Sequence, residues 1–168
     1  MFRLIFAIVI ATCVTSSMPL ARERVKPRMA EMGCGSFVVG QVVSGPGRAL
    51  DGSNLWLANR DFQIFAVRAV DQITTYQIAA RANLDRVVSG KEVTCRVVNC
   101  RMPGPQPVAI CRAGDVDIGE ALLRAGSVVT ERTELFSESE IDQAFVEKYL
   151  SAEFDARDAK RGYWSDVP

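Results

Sequence analysis

The stretch from Ala49 to Asp71, "ALDGSNLWLANRDFQIFAVRAVD", reads as two short strands wrapped around a site. Asp51, Asp61 and Asp71 are its carboxylates and Arg68 is a cation near its end. Carboxylate oxygens hold hard divalent cations, and an arginine beside them offsets charge on a phosphate. Grouped with Arg68, Arg101 or Arg112, the three aspartates would make a site for phosphate chemistry. The competing reading makes Asp51 a turn cap, puts Asp61 in a hairpin turn and leaves the arginines solvated; this second reading is the expected one. The chain has no histidine. That excludes Ser-His-Asp and Cys-His nucleophiles, histidine acid–base pairs and mixed His/Cys zinc sites.

The elements that would position these groups follow from residue patterning. Residues 36–47, "SFVVGQVVSGPG", form a β-branched run broken at Gly45-Pro46-Gly47, and a second strand centres on Leu55-Trp56-Leu57. "NRD" is a turn before a third strand over 62–67. Tyr76, Ala80, Leu84 and Val87 then recur at helical spacing over 74–88, with Gly90 as the stop. Fourth and fifth strands, 91–98 and 108–114, flank the Pro/Gly-rich "NCRMPGPQP". Asp117 with Glu120 is a capping box for a helix over 118–125. Ser137 with Glu140 makes another, opening a long helix with Ile141, Phe145, Tyr149, Ala152, Ala156 and Ala159 along one face and Gly162 closing it. Three strands, a helix, two strands and two helices is the order of a mainly β, α+β fold, a five-stranded OB-type barrel with three helices.

The chain has 168 residues, enough for one domain, and 20 basic residues cancel 20 acidic ones. A protein that coats duplexes shows a basic excess; here nucleic-acid contact would have to be local. The N-terminus, Met1-Phe2-Arg3 followed by "LIFAIVIATCVTSS", reads as a signal peptide over 1–21, cut near Ser16-Ser17 or after Ala21, and hence as a periplasmic or secreted protein. An uncleaved anchor is the rival, and Pro19 with the polar run before it argues against one. Residues 22–35 are a polar, basic, flexible lead-in, and 36–168 the folded domain. Beyond Cys13 in the expected signal peptide, Cys34, Cys95, Cys100 and Cys111 are an even set with no C-x-x-C pair, so disulfides are expected over a metal site.

From Phe37 to Asp166 the chain resembles the staphylococcal nuclease (thermonuclease) family. The resemblance is carried by "DGSNLWL", "FQIFAVRAVD", "GKEVTC" with "PVAIC", "DIGEALLRAGSVV" and "AEFDARDAKRGYW", which are similar in order and spacing to that family's blocks. The resemblance implies an OB-fold nuclease that hydrolyses DNA and RNA with one calcium ion. In that family two aspartates ligate the ion, two arginines clamp the phosphate and a glutamate works on water.

Carried over block by block, the first ligand aspartate falls on Ser53 and the arginine of the next strand on Gln63. The second ligand aspartate falls on Arg68, which reverses the charge. Val70 stands for a proline, Asp71 for the glutamate, and the second arginine falls on Gln106 or a neighbour. Losing one transition-state clamp commonly costs about 10²- to 10³-fold. The implied site is dismantled, with Asp51 and Asp71 as weak metal candidates and Arg68 beside Asp71 as an ion pair in place of the metal. The same fold sets Cys95 opposite Cys111 about the turn at 102–105, and Cys34 near Cys100. Trp164 matches a packing tryptophan of the family, whereas Trp56 is open as core, as a base-stacking platform or as a partner-binding surface. The expectation is an exported, monomeric, non-catalytic binding or interaction module with an unknown protein partner and no cofactor. The alternatives are a calcium-dependent secreted nuclease with a rearranged site, and a single-strand nucleic-acid binder that does not cut.

Overall fold

A two-residue turn sets the first hairpin. Ala58 and Asn59 both take left-handed backbone angles, φ 50° and 61°, the geometry whose twist matches the strands it joins. It connects β3 (Asn54–Leu57) to β4 (Arg60–Ile64), so that Trp56 faces Asp61 and Asn54 faces Gln63. Asp61 is therefore a strand residue; the expected "NRD" turn lies one residue earlier.

The computed structural model describes residues 37–70, 74–101, 106–137 and 141–167. The expected signal segment, the lead-in, Cys34 and Asp71 lie outside them. Of the expected first strand, 36–47, β1 takes Val42–Pro46, and a further two-residue strand, β2 (Arg48–Ala49), follows it. Gly47 between them packs so closely on β6 (Glu92–Arg101) that an added Cβ would stand 2.9 Å from Val93 Cγ2. The expected third strand also breaks. Ala66 takes φ 55°, and β5 (Val67–Arg68) leaves the main sheet to pair with β9 (Val129–Thr130).

Seven strands make one mixed sheet, with β7 (Gln106–Ala113) pairing β8 (Val116–Asp117) and the rest ordered β1-β6-β7-β4-β3-β2. Its β4–β7 pair is parallel and the others are antiparallel. The sheet is open rather than the closed five-stranded barrel expected. Its two end strands are nevertheless neighbours in the chain, joined through Gly47 alone. Leu55, Leu57, Phe62, Ile64, Val93, Val97 and Cys111 fill the interior, the inward half of a period-2 pattern.

The described residues hold four α-helices where three were expected: α1 (Thr74–Val88), α2 (Ile118–Arg124), α3 (Arg132–Ser137) and α4 (Gln143–Asp158). In α1 the buried row is Ala80, Leu84 and Val88, and Val87 is half-buried and packed against the same core. Asp117 caps α2 as expected, accepting from the Glu120 N–H at 3.1 Å. The same buried carboxylate takes Tyr149 Oη at 2.9 Å and Lys148 Nζ at 2.6 Å, tying α2 to α4. Burial and the facing Asp117 charge push the Tyr149 phenol well above its ordinary value.

The capping box expected at Ser137 and Glu140 does not open the long helix. Ser137 ends α3, and Asp142 caps α4 through the Phe145 N–H at 2.7 Å. At the other end Ala159 is the exposed C-cap and Lys160 turns left-handed at φ 48°; Gly162 starts a separate 3-10 turn. The β6–β7 register places Cys95 opposite Cys111, and the two form a disulfide with Cα atoms 4.1 Å apart. Cys100 is disulfide-bonded as well, and the partner expected for it, Cys34, is outside the described residues. Among the described residues no helix is long and apolar enough to cross a membrane.

Candidate functional site

The turn before β3 is held by one side chain. Asp51 Oδ1 accepts from the backbone N–H groups of Ser53 and Asn54, each at 2.8 Å, and from Ser53 Oγ at 3.4 Å. Its Oδ2 accepts from Asn54 Nδ2 at 2.8 Å. An aspartate closing the loop two residues on is the ordinary Asx-turn. Gly52 lets α1 press onto this turn: a Cβ there would lie 2.5 Å from that of Ala80 and 3.2 Å from that of Ala69. The contact brings Gln77, one helical turn before Ala80, over the turn.

These elements frame a cleft of about 420 Å³ lined by Asp51, Ser53, Asn54, Gln63, Arg68 and Gln77, together with Gly52 and Ala69. Three positions reached through the family resemblance, Ser53, Gln63 and Arg68, thus meet in one place. Gln106 joins them from β7, donating its amide to Asn54 Oδ1 at 2.9 Å.

What stands at those positions is occupied in holding the fold. Gln63 is 4% exposed, and its amide donates to the Val67 and Ile64 carbonyls at 3.0 and 3.3 Å. That contact braces the Phe65-Ala66 turn where the chain leaves one sheet for the other. Arg68, half-exposed, sets its Nε 3.4 Å from Glu131 Oε2 across the β5–β9 pair. Glu134 accepts the Ala66 N–H at 3.1 Å. Glu131 and Glu134, absent from the sequence-based candidates, therefore buttress the cleft from the start of α3. The one local signal for them was the paired acids of "ERTEL".

Other candidates lie elsewhere. Asp61 and Trp56 sit side by side on the outward face, with the Arg48 guanidinium 5.3 Å from the Trp56 ring centroid. Partial burial raises the Asp61 carboxyl above its ordinary value, the Asp51 charge adds to this, and Arg48 opposes it. Arg112 is exposed and donates to the Asp115 carbonyl at 2.5 Å, in the β7–β8 turn. Arg101 faces Gln106 in the strand register, and its side chain is outside the described residues. Trp164 is buried beneath Arg157, whose guanidinium stands 4.2 Å from the ring.

A calcium ion requires several oxygens of net negative charge. The described lining offers one carboxylate, with both oxygens engaged in the turn, together with a neutral serine, the neutral amides of Asn54, Gln63 and Gln77, and an arginine whose charge opposes a cation. That donor set does not fit the ion. Among the described residues no group of three or more His, Cys, Asp or Glu is placed to hold a metal. The lining can make hydrogen bonds to a ligand and offers one cation. Compared with protein-family models and with curated proteins, the chain matches none.

Proposed function

We propose that this chain is an exported domain of the staphylococcal nuclease type that has lost catalysis and acts as a binding or interaction module. The observation that carries the reading is the convergence of Ser53, Gln63 and Arg68 on one cleft, with Gln106 bonded to its rim. Ser53 lies in one block and Gln63 and Arg68 share the next, which the β3–β4 hairpin sets side by side; Gln106 reaches the same rim from β7, 52 residues along the chain from its partner Asn54. Their chemistry accounts for the loss: the nuclease mechanism needs carboxylates and arginines where this chain has hydroxyl, amide and a reversed charge.

Further support for the OB-type ancestry comes from the strand order. The sheet begins and ends on consecutive segments, β1 and β2, and contains the single parallel pair β4–β7. Export is supported by the Cys95–Cys111 disulfide, since such bonds persist in oxidising compartments.

A second reading, a single-strand binder that does not cut, draws on Trp56. Its half-buried ring lies on the outward face two residues along β3 from the cleft residue Asn54, beside Arg48. Aromatic rings and arginines of this kind stack bases.

The assignment of positions is tested by restoring them together: Ser53→Asp, Gln63→Arg, Arg68→Asp, Asp71→Glu and Gln106→Arg. The restored protein should bind calcium by titration calorimetry and cleave single-stranded DNA in its presence. A folded restored protein that fails to bind calcium contradicts the assignment.

A further inference from the structure

We propose that the groove between α3 and α4, with its continuation past Arg157, docks an acidic protein segment carrying a bulky apolar anchor. The proposal rests on the interaction-module reading and specifies the partner's chemistry and the face that receives it, away from the cleft.

Two large apolar side chains stand exposed on these helices: Phe154 on α4 at 67% and Phe136 on α3 at 62%. Phe136 lies one turn beyond Arg132 and so shares its helix face, while Leu150, Phe154 and Arg157 follow one another at i+4 and i+3 spacing. Between the helices lies a groove of about 380 Å³ lined by Arg132, Leu150, Ser151, Glu153, Phe154 and Arg157. A second recess of about 360 Å³ shares Arg157 and adds Lys160, Trp164 and Val167. The two meet at Arg157, which is held in position by stacking on Trp164.

The charge of this surface selects the occupant. Glu153 is the one acid in either lining, and it is turned inward. It is buried, accepts the Thr130 N–H at 3.1 Å and stands 3.6 Å from Arg132. Asp155 is drawn to Arg124 at 2.7 Å. Arg157 is an exposed cation beside Phe154, and Lys160 is an exposed cation of the second recess. An apolar anchor between cations favours a segment with carboxylates on either side of a Phe or Leu. A bilayer interface takes a helix with a continuous apolar face, whereas α4 turns its apolar row, Tyr149, Ala152 and Ala156, into the core. A protein segment fits better than a lipid surface.

The test uses the full-length oxidised chain and two fluorescein-labelled peptides. One is an amphipathic 16-residue peptide of Asp, Glu, Leu and Phe; the other has every acid replaced by Lys. Fluorescence anisotropy should show saturable binding of the acidic peptide alone, weakening as salt is raised. Phe154→Ala should weaken it about tenfold or more, as expected for loss of an interface anchor. Lys160→Glu should also weaken it and flatten its salt dependence. Equal binding of both peptides, no binding of the acidic one, or indifference to both substitutions would overturn the proposal. So would retention on phosphatidylglycerol vesicles in preference to the peptide, or self-association in sedimentation that Phe154→Ala abolishes. The same preparation is incubated with labelled single-stranded DNA and calcium. Cleavage there would sink the functional reading, whereas absent peptide binding without cleavage sinks the docking surface alone.

Discussion

Asp51 is the residue on which a metal site would turn, and it is committed to its own turn. Its two oxygens receive four hydrogen bonds from Ser53 and Asn54, which leaves it building β3 rather than gathering a cation. Removing such a side-chain cap commonly costs about 1–2 kcal/mol. Asp51→Ala should therefore lower the unfolding free energy by about that amount in urea, with an unchanged m-value. An unaltered midpoint would show that the turn holds without it. Asp61 offers a second test with a definite sign. Its carboxyl is raised in the fold, chiefly by desolvation and then by Asp51, so the native state favours its protonated form. The stability this contributes is present below the ordinary carboxylate range and lost as pH rises through the raised folded value. Asp61→Asn should thus raise the melting temperature at pH 7, with the gap closing at strongly acid pH. A variant less stable at pH 7 would contradict the assigned cause.

Elements with a clear hydrophobic period were legible from the residues. The run around Leu55 and Leu57 lies in a strand, and Ala80 and Leu84 lie on the core side of α1. The two-residue strands β5 and β9 were not legible, because a bridge so short has no period to read. Yet their pairing is what carries Arg68 to Glu131. The start of α4 was misplaced for a different reason. Ser137 and Glu140 have the spacing of a capping box, but Asp142 and Phe145 have it too and are the pair used. At this scale the β6–β7 hairpin is the element with the sharpest prediction. The Cys95–Cys111 bond closes a separation of 16 residues, for which loop entropy gives about 3 kcal/mol. Cys95→Ala/Cys111→Ala should lose about 2–4 kcal/mol in chemical unfolding. No loss would mean that the hairpin's other contacts already confine the unfolded chain.

Across the whole molecule, the positions of the cleft were readable and its bonding was not. Strand blocks place Ser53, Gln63, Arg68 and Gln106 by their order, so their meeting could be expected from the resemblance alone. That Gln63 would brace a backbone turn, and that Glu131 would approach Arg68 from more than sixty residues away in the sequence, are long-range facts that no local pattern carries. Together they describe a cleft whose polar groups support the fold, which is what the proposed loss of catalysis requires. The direct measurement is hydrolysis of labelled single-stranded DNA and RNA by the purified, oxidised protein, first with calcium and then with excess chelator. A non-catalytic domain leaves both substrates intact under both conditions, whereas cleavage with calcium that chelator abolishes would contradict the loss of catalysis and require a metal site built from other residues.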